Sequence, residues 1–376
     1  MRRTSRTSRS TGTGLAAVAL AGTLLLAACS GSSSDGASGS GGSGGGTDAS
    51  DASTTTTVVT AAPAGAKADG PPVPSAGCGQ SVQQPALKEK QFLDDSDRWF
   101  LLTTPEELDQ DTPLPMVLDF HGLAEGADVH AMMSGLPEFS QEHGFLLVSP
   151  HGTGSPVKWE VDPDLEANPD LEYTTALLDQ LEAEQCIDRS RVYATGLSNG
   201  AFMSSVLACT MADRFAAVAP VAGLIRPEGC DPSRPVPVLA FHGTADPILL
   251  FNGGVGDRLS NILPGDGDTT KEEEPPLPEP DLDGPGYPAA AQEWATGNGC
   301  TGDPTDDDLS DTVIERTWDC PPDAVVEFLI VEGGGHTWPG SEFSNDLADI
   351  MGPTDMATDA NQLIWDFFQR FQLPEA

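Results

Sequence analysis

The sequence predicts an α/β fold with a mostly parallel central sheet and helices on both faces. Three observations carry this. Past Trp99, short apolar β-prone runs alternate with helical stretches, the pattern of strands that must be covered on both sides. The part of the chain beyond Cys78 is about 300 residues, enough for one large α/β domain. Gly196-Leu197-Ser198-Asn199-Gly200 joins one such run to a helix-prone segment, and the Gly-x-Ser-x-Gly pattern places a serine on a sharp strand-to-helix turn.

The elements follow in order. Arg98–Leu102, Met116–His121 and Phe145–Ser149 read as strands. Leu171, Thr174, Leu177, Leu178 and Leu181 share one helical face. Val192–Thr195 is the strand entering the serine turn, and Ala201–Cys209, free of Pro and Gly, is the helix leaving it. Phe215–Ala219, Val236–Phe241 and Val325–Val331 are further strands. Leu363, Ile364, Phe367, Phe368 and Phe371 form the apolar face of a last helix, which Thr358 or Asp359 can cap.

Ahead of the domain, residues 1–28 read as a signal peptide: four arginines in the first nine residues, no acid, then an apolar small-residue stretch from Gly14 to Ala28. That stretch is shorter than the ~20 residues of a membrane span. Leu26-Ala27-Ala28-Cys29 resembles a bacterial lipobox, which makes Cys29 the expected lipidation site. Residues 29–77, rich in Gly, Ser, Thr and Ala, form the expected tether, and 78–376 the catalytic domain. Gly41-Gly42-Ser43-Gly44-Gly45 also matches Gly-x-Ser-x-Gly, but its linker composition removes it.

The formal net charge is −40, which argues against nucleic acid or anionic headgroups as partners. Membrane attachment is therefore expected only through the lipid on Cys29. Much of the acid lies in an insert at 252–287 and in Asp306-Asp307-Asp308, read as solvated loops. Six cysteines remain after Cys29, an even number that suggests three disulfides behind a secretion signal; fifteen pairings are possible. Proximity along the chain favours Cys300–Cys320 and Cys209–Cys230, which leaves Cys78–Cys186. No spacing resembles a zinc site, and no metal or cofactor is expected.

A serine nucleophile needs a base, and the base an orienting acid, in the chain order Ser, acid, His for this kind of turn. Of the six histidines, His121, His130, His143 and His151 precede Ser198 and His242 precedes the candidate acid, so only His336 has the required order, in a glycine-rich loop just past a strand. Asp246 ends the strand two beyond the nucleophile strand and is the expected acid; His242 is expected to support its turn. Backbone amides of Asn199 and of Leu123, in the loop His121–Gly126, are the expected oxyanion donors.

R-V-Y-A-T-G-L-S-N-G-A, F-A-A-V-A-P-V-A-G, F-H-G-T-A-D, N-G-C and G-G-G-H-T-W-P-G, in that order over roughly 78–373, resemble the secreted polyhydroxybutyrate depolymerase/feruloyl esterase family of α/β-hydrolases. The resemblance implies the α/β-hydrolase fold and extracellular hydrolysis of a carboxylic ester, with Ser198, Asp246 and His336 as triad. It also suggests Trp159 and Trp338 near the acyl pocket. The insert at 252–287 departs from the compact family pattern. An acetylxylan esterase, lipase or peptidase on the same fold, and a non-catalytic surface-binding lipoprotein, stay as alternatives. Activity is expected to fall at acid pH as His336 takes a proton.

Overall fold

The computed structural model describes residues 67–80, 87–94, 96–106, 109, 111–164, 167–259 and 276–374. The expected signal peptide, Cys29, most of the tether and the middle of the acidic insert lie outside the described residues.

The strands form one sheet: β1 (Glu89–Phe92), β2 (Trp99–Thr103), β3 (Leu114–Phe120), β4 (Leu146–Pro150), β5 (Ile187–Leu197), β6 (Ala217–Val221), β7 (Val238–Gly243), β8 (Thr301–Asp308), β9 (Val313–Asp319) and β10 (Val326–Val331). Their spatial order is β1-β2-β4-β3-β5-β6-β7-β10-β9-β8. The six central strands, from β4 to β10 in that order, run parallel; the two strands at either end pair antiparallel. Successive residues of the central strands feed opposite cores. Val192 and Ala194 of β5 pack with Met203, Val206 and Leu207 of helix α4 (Asn199–Thr210) on one face. Tyr193 and Leu197 face the other side, with the C-terminal helix. Apolar residues on both faces are what a sheet sandwiched between helix layers requires.

The remaining helices are α1 (Ala127–Ser134), α2 (Leu136–His143), α3 (Pro169–Glu184), α5 (Tyr287–Gly297), α6 (Glu342–Asp346), α7 (Ala348–Met351) and α8 (Ala360–Phe368). Asn168 caps α3, its Oδ1 accepting from the Asp170 and Leu171 amides. Asp359 caps α8 through the Gln362 amide at 3.1 Å, as expected of one of two candidate caps.

Two expectations change. Asp306-Asp307-Asp308 belongs to β8, an edge strand rather than a loop. It pairs with β9 through the backbone while nearly all its side chains are exposed, so no apolar alternation announces it. Its charges suit an edge that must not recruit another strand. Residues 67–77, expected within the tether, lie against the domain: Arg191 Nη2 donates to the Gly70 carbonyl at 2.9 Å and the Val73 amide to Asp188 at 2.9 Å.

The three disulfides join Cys78 to Cys186, Cys209 to Cys230 and Cys300 to Cys320. The first closes 108 residues of sequence and holds the 67–77 segment where Ser75 Oγ meets the Gln185 carbonyl and the Ile187 amide. Replacing Cys78 and Cys186 together by serine is expected to cost about 2–4 kcal/mol, read as a lower urea midpoint.

Candidate active site

The β5–α4 turn lifts Ser198 to the carboxyl end of the sheet. Its backbone sits at φ 57°, ψ −115°, a conformation unfavourable for a residue with a Cβ. Two bonds hold it there: the Ser198 amide donates to the Val221 carbonyl at 2.9 Å, and the Ser198 carbonyl accepts the Phe202 amide at 3.0 Å. The flanking glycines are steric necessities. A Cβ on Gly196 or Gly200 would overlap the carbonyl oxygen of Phe120 at the end of β3. This close approach packs α4 against the strand.

His336 follows β10 and Asp246 follows β7. Asp246 is 1% exposed; its Oδ1 accepts the Ile248 and Leu249 amides at 2.8 and 2.9 Å, and its Oδ2 lies 2.7 Å from His336 Nδ1. The ring is fixed from its backbone as well, the His336 amide donating to the Met351 carbonyl at 2.6 Å. A Cβ on Gly335 would overlap that same carbonyl, so the loop can approach so closely only with glycine there. A carboxylate accepts, so Nδ1 carries the proton and Nε2 the lone pair.

His242 also faces Asp246, with Nε2 3.3 Å from Oδ2 and 2.9 Å from the Leu249 carbonyl. Burial pushes it down to about 4, against the pull of Asp246, so it is neutral and donates from Nε2. It stacks on Tyr287 at 3.6 Å, which makes it a support for the Asp246 turn, as expected from sequence.

Ser198, His336, Gly122, Leu123 and Glu125 line one pocket of about 260 Å³. Its other walls are apolar: Val129, Met133, Leu197, Ile248, Leu259 and Leu347, with Ile350 and Met351 from α7. In the loop after β3, the Gly122 amide donates to Glu125 Oε2, that of Ala124 to the Val157 carbonyl and that of Glu125 to the Gly122 carbonyl. Among the described residues the Leu123 amide donates to none, and neither does that of Asn199 at the first turn of α4. The Asn199 side chain is clamped to the Trp159 backbone, accepting its amide at 2.7 Å and donating to its carbonyl at 3.2 Å.

Neither tryptophan lines this pocket. Trp159 is buried against Phe120 and His121, and its indole donates to the His121 carbonyl at 3.0 Å. It backs Asn199 from behind. Trp338 is buried in the core of the opposite face, its indole donating to Asn361 at 2.9 Å. The expectation placed both near the acyl pocket; neither ring is in its wall, and each indole N–H is spent on an internal partner.

A charge cluster that no sequence expectation included runs from the buried Asp119 to Glu125 in the pocket wall. Asp119, in the otherwise apolar β3, accepts from His130 Nε2 at 2.7 Å and from Ser134 Oγ at 3.0 Å. His130 Nδ1 faces Glu125 at 3.1 and 3.2 Å. A lone carboxylate in a buried strand was the available signal. Burial alone would drive His130 down, but Asp119 and Glu125 outweigh it and hold it up at about 10. In the unfolded chain an imidazole loses its proton near about 6.5. Between these values the fold binds more protons than the unfolded chain, so this contribution to stability is complete below about 6.5 and is lost as pH rises toward 10. Burial also raises Glu315 to about 7 and lifts Glu327, and both act in the same direction at neutral pH, so the window is taken from about pH 8 to 9.5, where lysines are still charged. The urea midpoint is expected to fall across it; a midpoint that rose would contradict the assignment of a cationic His130.

The signature of the Prolyl oligopeptidase family matches residues 132–234, the stretch that contains the serine turn. Feruloyl esterase B of Piromyces equi is 26% identical over 284 residues, covering 74% of this chain and 46% of that protein. The chain thus spans less than half the length of that relative. Putative esterase NocK of Nocardia uniformis subsp. tsuyamanensis is 30% identical over 270 residues, 67% of this chain and 73% of that one. Probable feruloyl esterase C of Aspergillus terreus is 31% identical over 189 residues, 48% of this chain and 65% of that one. With this similarity, a mostly parallel sheet and a serine on the turn after its central strand, the chain belongs to the esterases of the α/β-hydrolase family.

Proposed function

We propose that the protein hydrolyses carboxylic esters through an acyl-enzyme on Ser198, with His336 as base and Asp246 as its orienting acid. The observation that carries this is the 2.7 Å Asp246–His336 contact beneath a pocket that Ser198 and His336 share. Ser198 Oγ attacks the ester carbonyl while His336 Nε2 takes its proton, and the oxyanion is held by the Leu123 and Asn199 amides. The tetrahedral species collapses as His336 returns the proton to the leaving alcohol. Water then attacks the acyl-enzyme by the same route and releases the acid.

The pocket favours a compact apolar acyl group. Its walls are aliphatic and thioether, and its volume of about 260 Å³ is at the small end for ligand sites. Met133 and Met351 suit an aromatic ring, since thioethers pack well on ring edges. A hydroxycinnamate ester, the class named in two of the relatives, fits this lining; a hydroxyalkanoate oligomer is the aliphatic counterpart. Side-by-side turnover of methyl ferulate, hydroxybutyrate oligomers, p-nitrophenyl acetate and a peptide p-nitroanilide decides between them. Methyl ferulate or the oligomer is expected to lead in kcat/KM, with the anilide last. Cleavage of the anilide alone would turn the reading to a peptidase.

The protein is further proposed to work outside the cell, anchored through lipid on Cys29. The N-terminal pattern and three disulfides support this, because such bonds persist in oxidising compartments. Mass spectrometry of the mature N-terminus tests it: an unmodified Cys29, or retained residues 1–28, would refute the anchor.

A further inference from the structure

We infer that Asp119, His130 and Glu125 form a charged strut that sets the oxyanion-binding amide of Leu123, with Glu125 as the positioning residue at its tip. The inference rests on the esterase reading above but draws on a cluster that the acyl-transfer steps do not use. The strut starts in the sheet. Asp119 sits at the carboxyl end of β3, fully buried, where an isolated carboxylate would be strongly unfavourable. Helix α1 supplies its partners one turn apart, His130 at 2.7 Å and Ser134 at 3.0 Å. The other face of the same imidazole holds Glu125, and Glu125 Oε2 takes the Gly122 amide at 2.5 Å.

Gly122 is gripped from its other side too. Its carbonyl lies 2.7 Å from His121 Nδ1, while His121 Nε2 accepts the Gly152 amide at 2.9 Å. Burial pushes His121 down to about 4, so the ring is neutral with its proton on Nδ1, as those two bonds require. Gly122, the residue immediately before Leu123, is therefore held at its amide by Glu125 and at its carbonyl, which shares a peptide with the Leu123 amide, by His121. The imidazolium at the centre serves two purposes. It donates to both carboxylates at once, which a neutral ring cannot do. It also cancels one of two negative charges placed close to where an oxyanion must form.

The test uses the full mature protein with Glu125→Gln and Glu125→Ala. Glutamine keeps the shape and an acceptor for Gly122 but loses the charge that pairs with His130. Three readings are taken: ester kinetics, inhibition by phenylboronic acid, and hydrogen–deuterium exchange of residues 121–126. The boronic acid forms a B–O bond with Ser198 Oγ as the serine proton passes to His336, giving a tetrahedral anion that uses the oxyanion donors. Displacing a donor is expected to lower kcat by about 10–100-fold, with KM within about two-fold and boronate affinity falling in step. Exchange at Gly122 is expected to speed up by about ten-fold or more. Wild-type kcat and boronate affinity in a folded Glu125→Gln variant, or unchanged exchange in both variants, overturns the inference. If the wild type cleaves no ester and binds no boronate, the esterase reading fails, and exchange alone still decides whether the strut holds the loop.

Discussion

Ser198→Ala is expected to lower kcat by about 10⁵–10⁶-fold while leaving substrate binding and folding nearly intact, the scale seen when a serine hydrolase loses its nucleophile. The physical reason is that only Oγ changes. The strained backbone of residue 198 is held by the Val221 and Phe202 bonds, which are main-chain contacts that alanine keeps. The apolar walls of the pocket are contributed by other residues, so KM is expected to move little. The residual rate would come from the oxyanion donors acting on bound ester with water as nucleophile. Initial rates on a p-nitrophenyl ester, labelling by a fluorophosphonate and a thermal melt check the three claims together. A variant that kept a tenth of the wild-type rate would remove Ser198 from the chemistry.

The parts of this molecule that were legible in the sequence are those whose cause is local. Central strands such as Met116–Phe120 and Val326–Val331 are apolar on both faces because helices cover both faces, and that pattern stands out in the chain. The serine turn is legible because Gly196 and Gly200 must lack a Cβ where α4 meets Phe120. Once chain order was imposed, His336 and Asp246 followed. What could not be read has causes spread over the fold. β8 is made by backbone pairing with β9, and its acidic side chains carry no signal of it. The pocket is assembled from the loop after β3, α1, the Asp246 turn, the start of the insert and the α6–α7 segment, so no single window of sequence describes it. That Trp159 and Trp338 stay out of the pocket wall could not be read for the same reason: their indole N–H groups are taken by the His121 carbonyl and Asn361, partners 38 and 23 residues away in sequence.

Asp246→Asn is expected to lower kcat by about 10⁴-fold without disturbing the fold, because it leaves His336 in place with its proton on the wrong nitrogen. The amide can sit in two ways. With its NH₂ toward Ile248 and Leu249 it would face two backbone N–H groups that now donate to Oδ1 at 2.8 and 2.9 Å, and neither can reverse. With its NH₂ toward His336 it meets a ring that can reverse, at the position now 2.7 Å from Oδ2. The His242 N–H near that position aims at the Leu249 carbonyl at 2.9 Å and is only 3.3 Å from Oδ2, so it opposes this orientation weakly. The second orientation therefore wins. His336 then accepts at Nδ1 and carries its proton on Nε2, where it cannot take one from Ser198. KM should change less than two- to three-fold, since Asp246 lies beneath the pocket rather than in its wall. Asp246→Ala separates tautomer from packing: it frees the Ile248 and Leu249 amides and is expected to lower the melting temperature as well as the rate. A folded Asp246→Asn protein whose kcat stayed within ten-fold of wild type would mean that another carboxylate orients the base.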